Sequence, residues 1–279
     1  MKIYILLILV ITSFNSHALF FTDFVPSPSQ MINFYYDVRD DMPPLFSREK
    51  RLKEQNIDEI MDGDSINLKV RGKEIFSIFM ESEDKTDTGI IFLHTRGENP
   101  NESKTIKPLR IDMAENGYHT LSVQMPVLEK NATYYDYVPL LPHSHPRIKA
   151  AIDFYKKMNI KNIIFVAHGC GGHMLMSYID KYGDSDIKAV IGIGMGATDT
   201  NQEVIKEYPL ATMKIPVLDI IGQYDYRSVK KHFKTRKAHL ALSSENNKQV
   251  ILSKAKHYHH GEKEFKNLTS TIYKFLSKI

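Results

Sequence analysis

Apolar residues in this chain fall into two patterns. Short continuous runs occur at Gly89–His94, Tyr118–Val123, Ile163–His168, Ile187–Ile193, Ile215–Ile221 and Gln249–Leu252, bounded by Gly, Pro or polar clusters. Runs that are apolar on both faces and rich in β-branched residues suit strands of a parallel sheet covered on both sides. Between them the apolar positions recur three and four apart. Ser103–Asn116 would turn Ile106, Leu109, Ile111 and Met113 inward and stop at Gly117. Pro146 opens a helix to about Met158, with Ile148, Ala151, Ile152 and Tyr155 on its inner face. Further helices are expected up to Tyr182, over Ser228–Leu242 and over Glu262–Leu276. Upstream, Ser47–Met61 reads as a helix, and Ile66–Val70 and Glu74–Met80 as strands joined at Arg71-Gly72 that form an antiparallel edge. The alternation predicts an α/β fold: a mostly parallel central sheet with helices on both faces.

The N-terminus changes the picture of where the chain resides. Lys2 precedes the apolar run Ile3–Ile11, and Ser16-His17-Ala18 offers a small-x-small cleavage site. That pattern predicts a secretory signal peptide over residues 1–18, cut after Ala18. The run is too short to span roughly 30 Å of hydrocarbon, and no later stretch is long and apolar enough to do so. Pro26, Pro28, Pro43 and Pro44 make the start of the mature chain irregular. The organisation expected is therefore a signal peptide, an N-terminal segment over 19–60 with one helix, and one domain over 61–279. The mature protein would be periplasmic or secreted, with no stable membrane insertion. The formal net charge of +4 is too mild to imply a nucleic-acid partner. The densest basic stretch, Arg227, Lys230, Lys231, Lys234, Arg236 and Lys237, reads as the solvated face of a helix. Cys170 is the only cysteine, so neither an internal disulfide nor a lipid anchor is available.

Candidate chemistry gathers around Ile163–Met174. An apolar strand runs into the Gly-rich corner His168-Gly169-Cys170-Gly171-Gly172, and a helix follows. Small residues belong there because the strand and helix backbones pass close together. Cys170 would sit at the helix N-terminus, where a thiolate is favoured. One residue beyond the apex, however, its side chain turns away from any base placed to serve that apex. His94, His168, His173, His257, His259 and His260, with His143 and His145, are numerous enough to raise metal binding, yet no complete metal-ligand motif appears. No metal ligand and no cofactor is assigned. Tyr134, Tyr135 and Tyr137 lie in a long connection, Val127–His145, of the kind that covers or forms a site.

In this order the segments resemble the α/β-hydrolase superfamily over about residues 66–279. The segments that carry the likeness are Leu93-His94 with its following Gly loop, Pro108-Leu109-Arg110, Gly117–Pro126, Ala167-His168-Gly169 with Gly171, and Pro216–Ile220. More narrowly, the chain resembles an exported proteobacterial family of unknown function in which glycine also stands at the nucleophile place. The resemblance implies that Gly169 occupies that place, that Asp225 in Gly222-Gln223-Tyr224-Asp225 occupies the acid's place, and that His257 occupies the base's. It implies oxyanion donors at the backbone N–H of Cys170 and of Thr95 or Arg96. His94, Thr95, Arg96, His168 and Tyr135 are the candidate binding residues.

Gly169 supplies neither proton nor attacking atom, and losing a triad nucleophile costs about a million-fold in turnover. The expectation is a pseudoenzyme-like exported protein that binds a small or acyl-type ligand, or an envelope partner, in the old catalytic cleft. The enzyme alternative is an esterase- or thioesterase-type hydrolase using Cys170, or a water activated by His257 and Asp225 in the space Gly169 leaves. Metal binding through the histidines is a third alternative. Oligomeric state is not legible.

Overall fold

The computed structural model describes residues 43–279; the expected signal peptide and the irregular stretch as far as residue 42 lie outside the described residues. Among the described residues, eight strands form one sheet in the order β1-β2-β4-β3-β5-β6-β7-β8. They are β1 (Asp64–Val70), β2 (Lys73–Met80), β3 (Thr88–Leu93), β4 (His119–Val123), β5 (Asn162–His168), β6 (Ala189–Ile193), β7 (Val217–Gly222) and β8 (Lys248–Leu252). Strand β2 pairs antiparallel with both β1 and β4, and every pairing from β4 through β3 to β8 is parallel. The α/β expectation holds, including the antiparallel edge.

Alternate residues of the central strands enter two separate cores. Ile91, Leu93, Phe165 and Ala167 pack on one face of the sheet, while Ile90, Phe92, Ile164 and Val166 pack on the other. The apolar runs carry no polar alternation because neither face meets water. Register then sets the position of the site. Leu93 lies beside Ala167, and Ala167 beside Gly192, so the loops leaving β3, β5 and β6 emerge at one level. Loops at the carboxyl ends of parallel strands are where an open α/β sheet forms its ligand crevice.

Among the described residues, eight α-helices flank the sheet. They are α1 (Phe46–Asn56), α2 (Ile106–Glu115), the short α3 (Tyr134–Tyr137), α4 (Leu141–Lys157), α5 (Cys170–Tyr182), α6 (Arg227–Lys231), α7 (Phe233–Leu240) and α8 (Glu262–Leu276). Helix α1 ends at Asn56 rather than at the expected Met61, and α4 and the α6–α7 stretch differ further. Helix α4 starts at Leu141 rather than Pro146: Pro142 takes a place in its first turn, and Pro146 lies inside the helix. A proline near a helix start forfeits few bonds, so the second one did not delay the helix. The single helix expected over Ser228–Leu242 is two, meeting at His232. Arg236 does not join the solvated basic face expected of it; it is buried, and its Nε donates to Asp219 Oδ2 at 2.8 Å. The cause is Asp219, a wholly buried carboxylate in an apolar strand. A buried charge of that kind requires a paired cation. Helix α1 is fastened by a second buried pair, Arg147 Nη2 to Glu49 Oε1 at 2.9 Å. Among the described residues no helix is long and apolar enough to cross a membrane.

Candidate active site

The corner between β5 and α5 has the backbone of a nucleophile elbow. Gly169 sits at φ +52°, ψ −112°, a conformation that strains a residue with a side chain by about 1–3 kcal/mol. Its N–H donates to the Ile193 carbonyl at 2.9 Å, tying the corner to β6. Two residues on, a Cβ at Gly171 would lie 2.4 Å from the Leu93 carbonyl oxygen. Helix α5 therefore passes over β3 with no room for a side chain, as the run of small residues implies.

The acid and base meet. Asp225 follows β7 and His257 follows β8, and their side chains join through Asp225 Oδ1 and His257 Nδ1 at 2.7 Å. Asp225 also accepts from the Tyr226 N–H at 2.7 Å and the Gly222 N–H at 3.2 Å. Burial pushes its carboxyl pKa up, but the hydrogen bond and charge of His257, with these two amides, outweigh burial and hold it below its ordinary value. Tyr226 stacks on the His257 ring with centroids 4.3 Å apart. Gly194 leaves the space: a Cβ there would lie 2.7 Å from His257 Nδ1. So His257 presents its other nitrogen, Nε2, which is buried and has no hydrogen-bond partner among the described residues.

Opposite Nε2 lies the elbow. A Cβ on Gly169 would stand 3.1 Å from His257 Nε2, and the same point is 2.3 Å from Thr95 Oγ1. The space expected beside His257 for a water is thus narrowed by a threonine hydroxyl. That hydroxyl accepts a hydrogen bond from the Cys170 N–H at 3.2 Å, engaging one of the two expected oxyanion donors. His94 anchors the Thr95 loop from beneath. Its Nε2 accepts from the Met125 N–H at 2.9 Å, so the proton resides on Nδ1, which donates to the Thr95 carbonyl at 2.8 Å. Burial lowers the His94 pKa to about 4 and keeps it neutral.

Other candidates separate by depth. Cys170 packs among apolar side chains, and burial pushes its thiol up to about 12, the opposite of the lowering expected at a helix N-terminus. Desolvation outweighs the helix dipole here. His168 is fully buried; its Nε2 donates to the His257 carbonyl at 3.1 Å, so it supports the His257 loop from below. Arg96 lies at the surface of the site and forms a bidentate pair with Asp199, with Nη2 to Oδ1 at 2.8 Å. Asp199 in turn accepts from the Tyr134 N–H at 2.6 Å, tying the β3 loop to α3. Tyr134, not Tyr135, faces the cleft. The Tyr135 N–H donates to Gln202 Oε1 at 3.1 Å, and its hydroxyl accepts from the Glu203 N–H at 3.0 Å.

Above these groups opens a cleft of about 1030 Å³, with Thr95, Cys170 and His257 at its base and Arg227, Lys230 and Lys231 on its rim. Among the described residues no group of three His, Cys, Asp or Glu side chains could hold a metal ion. His173 binds the Ala197 carbonyl and Tyr208, while His145 binds Ser177, so these two histidines serve separate structural contacts. Sequence reasoning missed Gly194, Tyr226 and Asp199. The first lies just beyond an apolar strand and the second directly follows the acid, and those positions were the available signals.

No protein-family model matches the sequence, and no curated protein does. Solved structures do. The chain is similar to Est1E from Butyrivibrio proteoclasticus at TM-score 0.59 and 16% identity, over 77% of this chain and 98% of that one. It is similar to an esterase from Pyrococcus furiosus at TM-score 0.62 and 12% identity, over 80% and 93% of the two chains. A dienelactone hydrolase from Anabaena variabilis matches at TM-score 0.58 and 15% identity, over 77% and 96%. Identities this low establish architecture alone. With the sheet order, the elbow backbone and the acid–base pair after β7 and β8, they establish that this chain has the α/β-hydrolase fold.

Proposed function

We propose that the cleft over Gly169 receives a small acyl-type ligand and hydrolyses it with His257 as general base, without a serine at the elbow. One observation carries this reading. His257 Nε2 is buried, has no hydrogen-bond partner among the described residues and faces the elbow, while Nδ1 is held by Asp225 at 2.7 Å. A buried ring nitrogen without a partner calls for an explanation, and this one borders the elbow volume while a carboxylate holds the other side of its ring. With Nδ1–H donated to the carboxylate, Nε2 is left as the proton acceptor, and Asp225 stabilises the imidazolium that forms. The esterase from Pyrococcus furiosus among the structural neighbours supports ester chemistry as the first class to test.

Hydrolysis of p-nitrophenyl acetate and butyrate by wild type and His257→Ala is the test. We expect turnover that falls by roughly 10²–10⁴-fold in the variant. Equal rates in both would remove His257 from the chemistry. A second reading, binding without turnover, is favoured by the missing side chain at Gly169. Calorimetric binding of butyrate or an acyl ester, with no product formed, would select it.

The reading extends to location. The N-terminal pattern and the resemblance to an exported family support delivery to the periplasm after cleavage at Ala18. N-terminal sequencing of the protein from a periplasmic fraction would find Leu19 first; an intact Met1 in the cytoplasm would refute it.

A further inference from the structure

We infer that Thr95 is the nucleophile of this site: its hydroxyl, brought in from the loop after β3, fills the volume that a side chain on the elbow would occupy. The inference rests on the hydrolytic reading above and identifies the attacking atom.

Three contacts converge on it. A Cβ on Gly169 would fall 2.3 Å from Thr95 Oγ1, well inside any permitted contact, so glycine at the elbow and threonine on the loop are sterically matched. That same point is 3.1 Å from His257 Nε2, so hydroxyl and imidazole border one small volume. They are not hydrogen-bonded to each other as they stand, and the inference requires a movement of the threonine side chain that joins them. Catalytic hydrogen bonds are commonly long before substrate arrives. The third contact is the Cys170 N–H, which donates to Thr95 Oγ1 at 3.2 Å from the first turn of α5. A hydroxyl that accepts from an amide has its own proton free to donate. The supporting frame is rigid: Thr95 is buried, and its carbonyl is held by His94 Nδ1 at 2.8 Å. Thr95 also lines the base of the cleft beside His257, so the oxygen is reachable by a ligand.

The chemistry balances without a co-reactant beyond water. Thr95 Oγ1 attacks the ester carbonyl carbon, a C–O bond forms, and the hydroxyl proton passes to His257 Nε2. As Oγ1 turns to the substrate it leaves the Cys170 N–H, which becomes available to the oxyanion of the tetrahedral intermediate. The intermediate expels the alcohol, which takes the proton from His257, and an acyl-threonine ester remains. Water then attacks that ester, gives a proton to His257, and releases the acid as Oγ1 recovers its proton.

The test uses the purified chain with p-nitrophenyl acetate and, separately, with a fluorophosphonate that labels activated hydroxyls, followed by peptide mapping in a mass spectrometer. We expect acetyl and phosphonyl adducts on Thr95. Thr95→Val should lose the adduct and about 100-fold or more of turnover, while Thr95→Ser, which keeps the hydroxyl, retains both. Thr95→Ser also guards against a valine variant that fails to fold. Turnover that depends on His257 but survives in Thr95→Val, with no adduct on Thr95, overturns the nucleophile and leaves general-base catalysis by His257 standing. An adduct on any other residue overturns it as well. Absence of both turnover and adduct in wild type overturns this inference together with the hydrolytic reading.

Discussion

The two sides of the cleft are built on different plans. On the side of β7 and β8, Asp225 and His257 form a complete acid–base pair, with three hydrogen bonds on the carboxylate and an aromatic ring stacked on the imidazole. On the side of β3 and β5, the backbone of a nucleophile elbow is intact, but its apex is glycine and a threonine from the neighbouring loop stands in the space. Backbone geometry and side-chain chemistry are thus separable. The elbow is held by the Gly169 N–H bond to β6 and by the contact of Gly171 with the Leu93 carbonyl, neither of which involves the apex side chain. Glycine at position 169 is compatible with that scaffold and relieves its strain.

The strongest way to sharpen this contrast is to disable the complete side. Asp225→Asn should lower ester turnover by roughly 10²–10⁴-fold, because the imidazole loses its orienting carboxylate; steady-state kinetics of ester hydrolysis checks it. Next comes an exchange of the hydroxyl between the two loops. Gly169→Ser alone introduces a Cβ that collides with Thr95 Oγ1, and should cost about 1–3 kcal/mol in urea denaturation without raising turnover. Adding Thr95→Gly removes the collision, and the double variant should hydrolyse ester at least about tenfold faster than Thr95→Gly alone. A double variant no faster than that single variant would show that turnover from the elbow needs more than these two exchanges.

Acidification probes the histidines beneath the cleft. Burial lowers His94 to about 4 and His173 to about 3, so between those values and the ordinary histidine pKa the unfolded chain binds more protons than the folded one. Stability is therefore full above about pH 6.5 and falls as the pH drops, by about 2 kcal/mol at pH 5 for His94. Asp225 acts in the same direction but in a lower window, since its folded pKa is depressed: its contribution is lost only as pH falls below the ordinary carboxylate range. Urea midpoints measured from pH 7 to pH 5 should decline steadily. The smallest effect is expected at Cys170. With the thiol raised to about 12 and buried, a disulfide reagent at pH 8 should modify it only after denaturant is added. Rapid labelling of the native protein would bring the cysteine back among the candidate nucleophiles.

Much of the architecture was present in local pattern. The apolar runs, the Gly-rich corner and the helix stops reported the sheet, because a strand covered on both faces must be apolar throughout and a sharp corner must be small. The positions of Asp225 and His257 were also legible, through their resemblance to known sites and their places just after strands. What pattern alone could not decide was whatever depends on contacts between distant segments. Whether Asp225 reaches His257 is set by how β7 and β8 align, and whether Cys170 is a thiolate is set by the apolar side chains packed over it. Arg236 looked like one more surface cation until the fold set it against Asp219. Thr95 and Gly169 lie far apart in sequence, and each is unremarkable alone. Only the register of β3 beside β5, which brings Leu93 level with Ala167, puts one residue's hydroxyl in the other's missing volume.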